Sequence, residues 1–183
     1  MEVAYNLLAG GALRIDAEFH GGDEHVQVPR IGFRTRMKAS CDRFRYFGPG
    51  PWESYCDRFA ACRVGEYTAS AKEQCYPYVR PQETGHHYGV DWLEIGPVRI
   101  TEDVTFEFSA LRCSIEDLDP RTPEGGRVWA HVNDIKVRPW VELCIDDRMT
   151  GLGGHDSWGA RPESVRTVWA DCDYTFSIAL EAK

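Results

Sequence analysis

Residues 12–19 read ALRIDAEF. In an extended chain Leu13, Ile15, Ala17 and Phe19 share one face, and Arg14, Asp16 and Glu18 take the other. Successive side chains of a strand point to opposite faces, so a period of two marks a strand with one buried side. The preceding Ala9-Gly10-Gly11 supplies turn chemistry and pairs this stretch with residues 3–8 as a hairpin. The alternation returns at 31–38, with Ile31, Phe33, Thr35 and Met37 inward and Arg34, Arg36 and Lys38 outward. It returns again at 104–111, where Val104, Phe106, Phe108 and Ala110 share a side, and at 174–180 with Tyr174, Phe176, Ile178 and Leu180. Shorter strands are predicted at 90–95, 98–101, 127–132 and 140–146, the first two separated by Gly96-Pro97. Residues 57–64 fit a short strand or a helical turn equally well. Ser114-Ile115-Glu116-Asp117 has capping-box spacing and predicts one helical turn. No long helical period, internal repeat or linker interrupts this pattern. It predicts one all-β domain over residues 1–183, a large antiparallel β-sandwich.

Composition narrows the function classes. The 183 residues suffice for a sizeable core, and 43% hydrophobic with 27% charged residues is ordinary for a globular chain. A net charge of −8 argues against nucleic acid or an anionic membrane as partner. No apolar run reaches the roughly 20 residues of a membrane span. The opening MEVAYNLLAGG lacks a basic segment ahead of an apolar one, so no signal peptide is expected. A soluble protein is expected, with its compartment open. The seven cysteines form no CxxC pair, and most are expected to be buried free thiols.

The stretch 46–58, YFGPGPWESYCDR, alternates Gly48, Pro49, Gly50 and Pro51 before Trp52, Glu53, Tyr55, Asp57 and Arg58. Gly-Pro punctuation predicts a loop. Neither this segment nor the loop 151–162 carries GxxxxGK[ST], so neither is expected to cradle a phosphate. No GxSxG elbow supplies a serine nucleophile. His86 and His87 are expected in a loop, and His155-Asp156 lacks the further convergent ligands that a metal site needs. Glu53, Glu83 and Asp156 are loop carboxylates, each expected to be held ionised by an arginine. Trp52 and Trp158 sit in glycine-bracketed loops beside Glu53, Ser54, Asp156 and Ser157. A loop tryptophan among polar groups suits a sugar, whose C–H face lies on the ring while its hydroxyls take hydrogen bonds.

Three ordered motifs, YFGPGPWESYCDR, PYVRPQETG (77–85) and GLGGHDSWG (151–159), resemble the C-terminal small-chain domain of glycoside hydrolase family 2 β-galactosidases. Val28-Pro29-Arg30-Ile31-Gly32 resembles the start of that domain, and SIEDLD with the strand at 174–180 its end. The resemblance implies a galactose mutarotase-like supersandwich fused behind other domains. It implies that the catalytic glutamates and the magnesium ligands lie on a separate TIM barrel, with magnesium and sodium bound largely elsewhere and no cofactor in this chain. It further implies that Trp158 stands at the active-site rim against a galactoside, with Asp156 and Ser157 fixing its loop and His155 at a variable or usually acidic position. Ser54, Cys56 and Thr84 depart from the usual Asn, Pro and Asn. Glu53, Tyr55, Asp57 and Arg58 are then expected to form a structural corner with Arg80, Gln82 and Glu83. No residue of the chain is expected to be catalytic. The partners implied are the other domains of the parent enzyme, above all the barrel. The alternative is a stand-alone carbohydrate-binding β-sandwich. An aldose mutarotase would need a Glu–His pair that the sequence does not place.

Overall fold

A computed structural model describes residues 1–183 as eleven strands with one short α-helix. The strands are β1 (Glu2–Leu7), β2 (Leu13–Phe19), β3 (Gln27–Val28), β4 (Arg30–Lys38), β5 (Arg43–Gly50) and β6 (Arg63–Ser70). After them come β7 (His86–Ile95), β8 (Val98–Leu111), β9 (Trp140–Met149), β10 (Val168–Trp169) and β11 (Tyr174–Ala182). Helix α1 (Ile115–Leu118) carries the capping box, with the Asp117 amide on Ser114 Oγ and the Ser114 amide on the Asp117 carboxylate. All pairings are antiparallel. No helix is long and apolar enough to cross a membrane.

The sheet order is β1-β2-β11-β8-β7-β5-β6, with β9-β4 branching from β8. The branch arises because β8 changes partner along its length. Residues 98–101 pair with β11, whereas 107–111 pair with β9. Beyond the fork the two arms face each other across the core, and Phe33 of β4 stacks on Phe176 of β11 with centroids 5.6 Å apart. Burial of apolar faces from both arms drives this closure. Ile15, Phe176 and Ile178 come from one arm and Val141, Leu143 and Ile145 from the other, with Phe106 and Phe108 between them.

The hairpin β1–β2 and the strands at 31–38, 140–146 and 174–180 lie where the alternation puts them. Several boundaries differ. The pieces predicted at 98–101 and 104–111 are one strand, and Val104, at the fork, is 74% exposed. Thr35 is exposed because β4 is an edge. Residues 127–132 form no strand beyond a single bridge between Arg121 and Arg127. The Gly-Pro run does not break the chain, since β5 continues through Gly50 paired with β6. Pro49 is tolerated because β5 pairs with β7 only over 44–47, so no ladder partner is left short of its missing N–H. A Cβ on Gly48 would approach Val90 Cα to 3.0 Å, which explains glycine there. Three of the seven thiols, Cys56, Cys113 and Cys144, are buried, fewer than expected, and all seven are free.

Candidate functional site

One end of the sandwich gathers three connections: residues 51–62, 71–85 and 150–163. Glu53 is the hub of the first two. Its Oε2 accepts the Gly85 amide at 2.8 Å and the Thr84 hydroxyl at 3.1 Å. Its Oε1 accepts the Tyr78 hydroxyl at 2.6 Å and pairs with Arg58. Burial opposes ionisation of Glu53, but Tyr78, Gly85 and Arg58 outweigh it and hold the carboxyl below its ordinary value. Arg58 also lies over the Tyr55 ring. Of the segment expected to complete this corner, Tyr78 meets it and the charged residues go elsewhere. Arg80 stacks over Trp129, Gln82 is exposed, and Glu83 reaches Arg30 at 3.1 Å.

Asp57 joins the first connection to the third. Its carboxylate accepts the Leu152 amide at 3.1 Å and the Gly153 amide at 2.8 Å. A Cβ on Gly151 would sit 2.5 Å from Asp57 Oδ2 and displace that carboxylate, and Gly153 has φ +64, a conformation that favours glycine. Further along, Asp156 Oδ1 accepts the amides of Trp158 (2.8 Å) and Ala160 (3.0 Å), and Gly154 N donates to Ala160 O. Those backbone donors, not an arginine, hold the Asp156 carboxyl below its ordinary value. The tip is therefore a small closed turn that holds the Trp158 indole away from the protein, 92% exposed. A tryptophan plugging the end of a sandwich would be covered. Ser157 and His155 are exposed beside it.

Next to this tip lies an open cleft of about 1150 Å³. Trp52, Phe59, Tyr76 and Tyr78 give it aromatic walls, Arg58, Glu163 and Arg166 give it charge, and His155 lines it too. Trp52 is 69% exposed.

Beneath Tyr55 lies a cluster that the sequence reading missed. His86 is fully buried, 3.2 Å from Glu107 and 4.0 Å from Asp146, and its Nδ1 meets Ser54 O at 3.0 Å. Tyr55 stacks on its ring. Arg30 lies 3.3 Å from Asp146, and Glu107 accepts the Met149 amide at 2.9 Å. Burial lowers the basicity of His86, but Glu107 and Asp146 overcome this and raise its pKa. Burial pushes the Asp146 carboxyl up to about 7. This is a Glu–His pair of the type an aldose mutarotase would need, sealed from solvent and tied to the backbone, so it braces strands and meets no sugar. The signal was Glu107 and Ser109 alternating with Phe106 and Phe108, polar residues on a strand buried on both faces. His87, expected in the same loop, is in β7 and stacks on Phe108. Burial drops its pKa to about 3.

Known proteins place these features in context. The family profile described as "Beta galactosidase small chain" matches residues 1–180. The chain is 32% identical over 181 residues to a beta-galactosidase of Photobacterium profundum, covering 98% of this chain and 16% of that protein. It is 29% identical to a beta-galactosidase of Priestia megaterium, covering 98% of this chain and 17% of that protein. A beta-galactosidase small subunit of Latilactobacillus sakei is 28% identical, covering 98% of this chain and 58% of that protein. The chain thus spans about one sixth of the first two relatives and little more than half of the third.

Proposed function

The chain belongs to the beta galactosidase small chain family, and from that membership we propose that it is the accessory small-chain domain of a retaining β-galactosidase of glycoside hydrolase family 2. In this reading the two catalytic glutamates lie in a TIM barrel outside the chain, the chain hydrolyses nothing alone, and Trp158 forms part of the active-site wall. The observation that carries it is the Trp158 indole, 92% exposed on a turn closed by Asp156 and anchored by Asp57. An exposed indole ordinarily costs solvation free energy, and fixing it on a rigid turn prepares it to cover an apolar sugar face without further ordering. Asp156 acts as a positioning residue, and Ser157 and His155 stand where a sugar hydroxyl would pass.

Steady-state kinetics of the whole parent enzyme test the reading. Trp158→Ala removes one stacking contact worth about 1 kcal/mol, so KM for a galactoside rises roughly fivefold while the melting temperature holds. Unchanged kinetics would remove Trp158 from the site. The cleft walled by Trp52, Phe59 and Tyr76 favours one second reading, a carbohydrate-binding sandwich that acts without a partner. Titrating the isolated chain with lactose separates the two. Saturable sub-millimolar quenching of tryptophan fluorescence supports the second reading, and its absence supports the first.

A further inference from the structure

Two of the seven thiols face each other. Cys113 Sγ lies 3.8 Å from Cys75 Sγ and donates its S–H to it. Cys113 is buried with Leu111 and Leu118 at the foot of α1, and Cys75 lies half-buried against the same small cluster. The thiols of Cys56 and Cys62 hydrogen-bond to backbone oxygen instead. A disulfide places its sulfurs about 2.05 Å apart, so closing this pair takes an approach of about 1.8 Å. The two members are not equivalent. The donated S–H favours the thiolate at Cys75, the more accessible sulfur, and the same contact together with burial keeps Cys113 protonated. A thiolate on the outside with a thiol behind it is the order that exchange with an external disulfide requires.

The segment that Cys75 belongs to feeds the candidate site. Gln74 O lies 3.3 Å from Thr84 Oγ1, and Gln74 Oε1 meets His87 Nε2 at 2.9 Å. The Tyr76 amide donates to Thr84 Oγ1, and the far end of the segment delivers Tyr78 and Gly85 to Glu53. Hydrogen bonds to Glu53 and His87, the Glu83–Arg30 pair and the Arg80–Trp129 stack hold residues 74–85, and a covalent bond one residue from Gln74 would reinforce them.

We propose that Cys75 and Cys113 form a thiol–disulfide exchange site that a low-molecular-weight disulfide oxidises to a cross-link, stapling residues 74–85 to the end of β8. The Cys75 thiolate attacks one sulfur of the external disulfide and expels the other as a thiolate. That thiolate takes the Cys113 proton, and Cys113 then attacks Cys75 Sγ and expels the second external sulfur. One disulfide bond breaks and one forms, two electrons pass from the protein to the small disulfide, and one small thiol and one small thiolate leave.

Equilibrating the whole chain in reduced and oxidised glutathione, trapping free thiols with iodoacetamide and mapping peptides by mass spectrometry tests this. The expected product is a Cys75–Cys113 linked peptide two hydrogens lighter than the reduced pair, reversed by dithiothreitol. The oxidised chain should melt roughly 5–10 °C higher, since a cross-link of this span constrains the unfolded chain. Cys113→Ser should stop at glutathione on Cys75 with no rise in melting temperature. Cys75→Ser, at the less buried position, should give neither the link nor the adduct and keeps the test open where Cys113→Ser folds poorly. Alkylation of both cysteines in the most oxidising buffer, while exposed Cys172 takes up glutathione, would overturn the proposal. So would a link that forms and leaves the melting temperature unchanged.

Discussion

At the scale of single residues, carboxylates decide how this end of the molecule is built. Asp57 spends both oxygens on backbone amides of the tip loop. Removing them by Asp57→Ala should speed amide hydrogen exchange at Leu152 and Gly153 about tenfold, with global stability falling by about 1 kcal/mol or less, because the bonds are solvent-exposed. The buried histidines set the pH response. His86 has a raised pKa, so the stability it contributes is complete below its unfolded pKa and is lost as pH rises through the folded one. Asp146, raised to about 7 by burial, has the same sign. Glu102, also raised to about 7 by burial, adds to it. His87, depressed to about 3 by burial, has the opposite sign, and its contribution is lost as pH falls below about 6.5. Above pH 6.5 only the first three act. Thermal melts should therefore show stability falling as pH rises above about 6.5, and His86→Gln should flatten much of that slope. The sequence announced the exposed tryptophans through their glycine brackets. It did not announce His86, because two adjacent histidines between Gly85 and Gly89 look like a loop until β8 is seen to carry Glu107 to them.

At the scale of elements, the local period of two was enough to place the principal strands, and tertiary context redrew their ends. The two segments predicted at 98–101 and 104–111 fuse because β7 runs beside both, which no short window reveals. The Gly-Pro run reads as a loop by propensity yet stays extended, because its glycines admit close neighbours. Residues 127–132 have strand-like composition, but apart from the Arg121 bridge no second chain pairs with them. Glycine also sets the register of β4. The pairing of β4 with β9 shifts between Ile31 and Gly32, and a Cβ on Gly32 would come within 2.3 Å of Ile145 O and 2.5 Å of Asp146 Cα. This irregularity lies beside Asp146, the partner of Arg30. Gly32→Val should force β4 away from β9 and cost roughly 1–3 kcal/mol, read as a lower denaturation midpoint with the slope retained.

At the scale of the whole molecule, the topology ties the two ends of the chain together. β2 has β1 on one side and β11 on the other, and Asp16 on β2 bonds Ser177 at 2.5 Å across 161 residues of sequence. On a ribosome the first hairpin would thus emerge long before its permanent neighbour exists. Pairing so distant in sequence is slow, and an uncovered strand edge invites association in the interval. A chain stopped before Tyr174 should remain cleavable within residues 2–19 under limited proteolysis, whereas the chain that includes β11 should resist there. Synthesis order and fold order run opposite ways in this fold: β2 is made well before β11 and is locked only once β11 pairs with it.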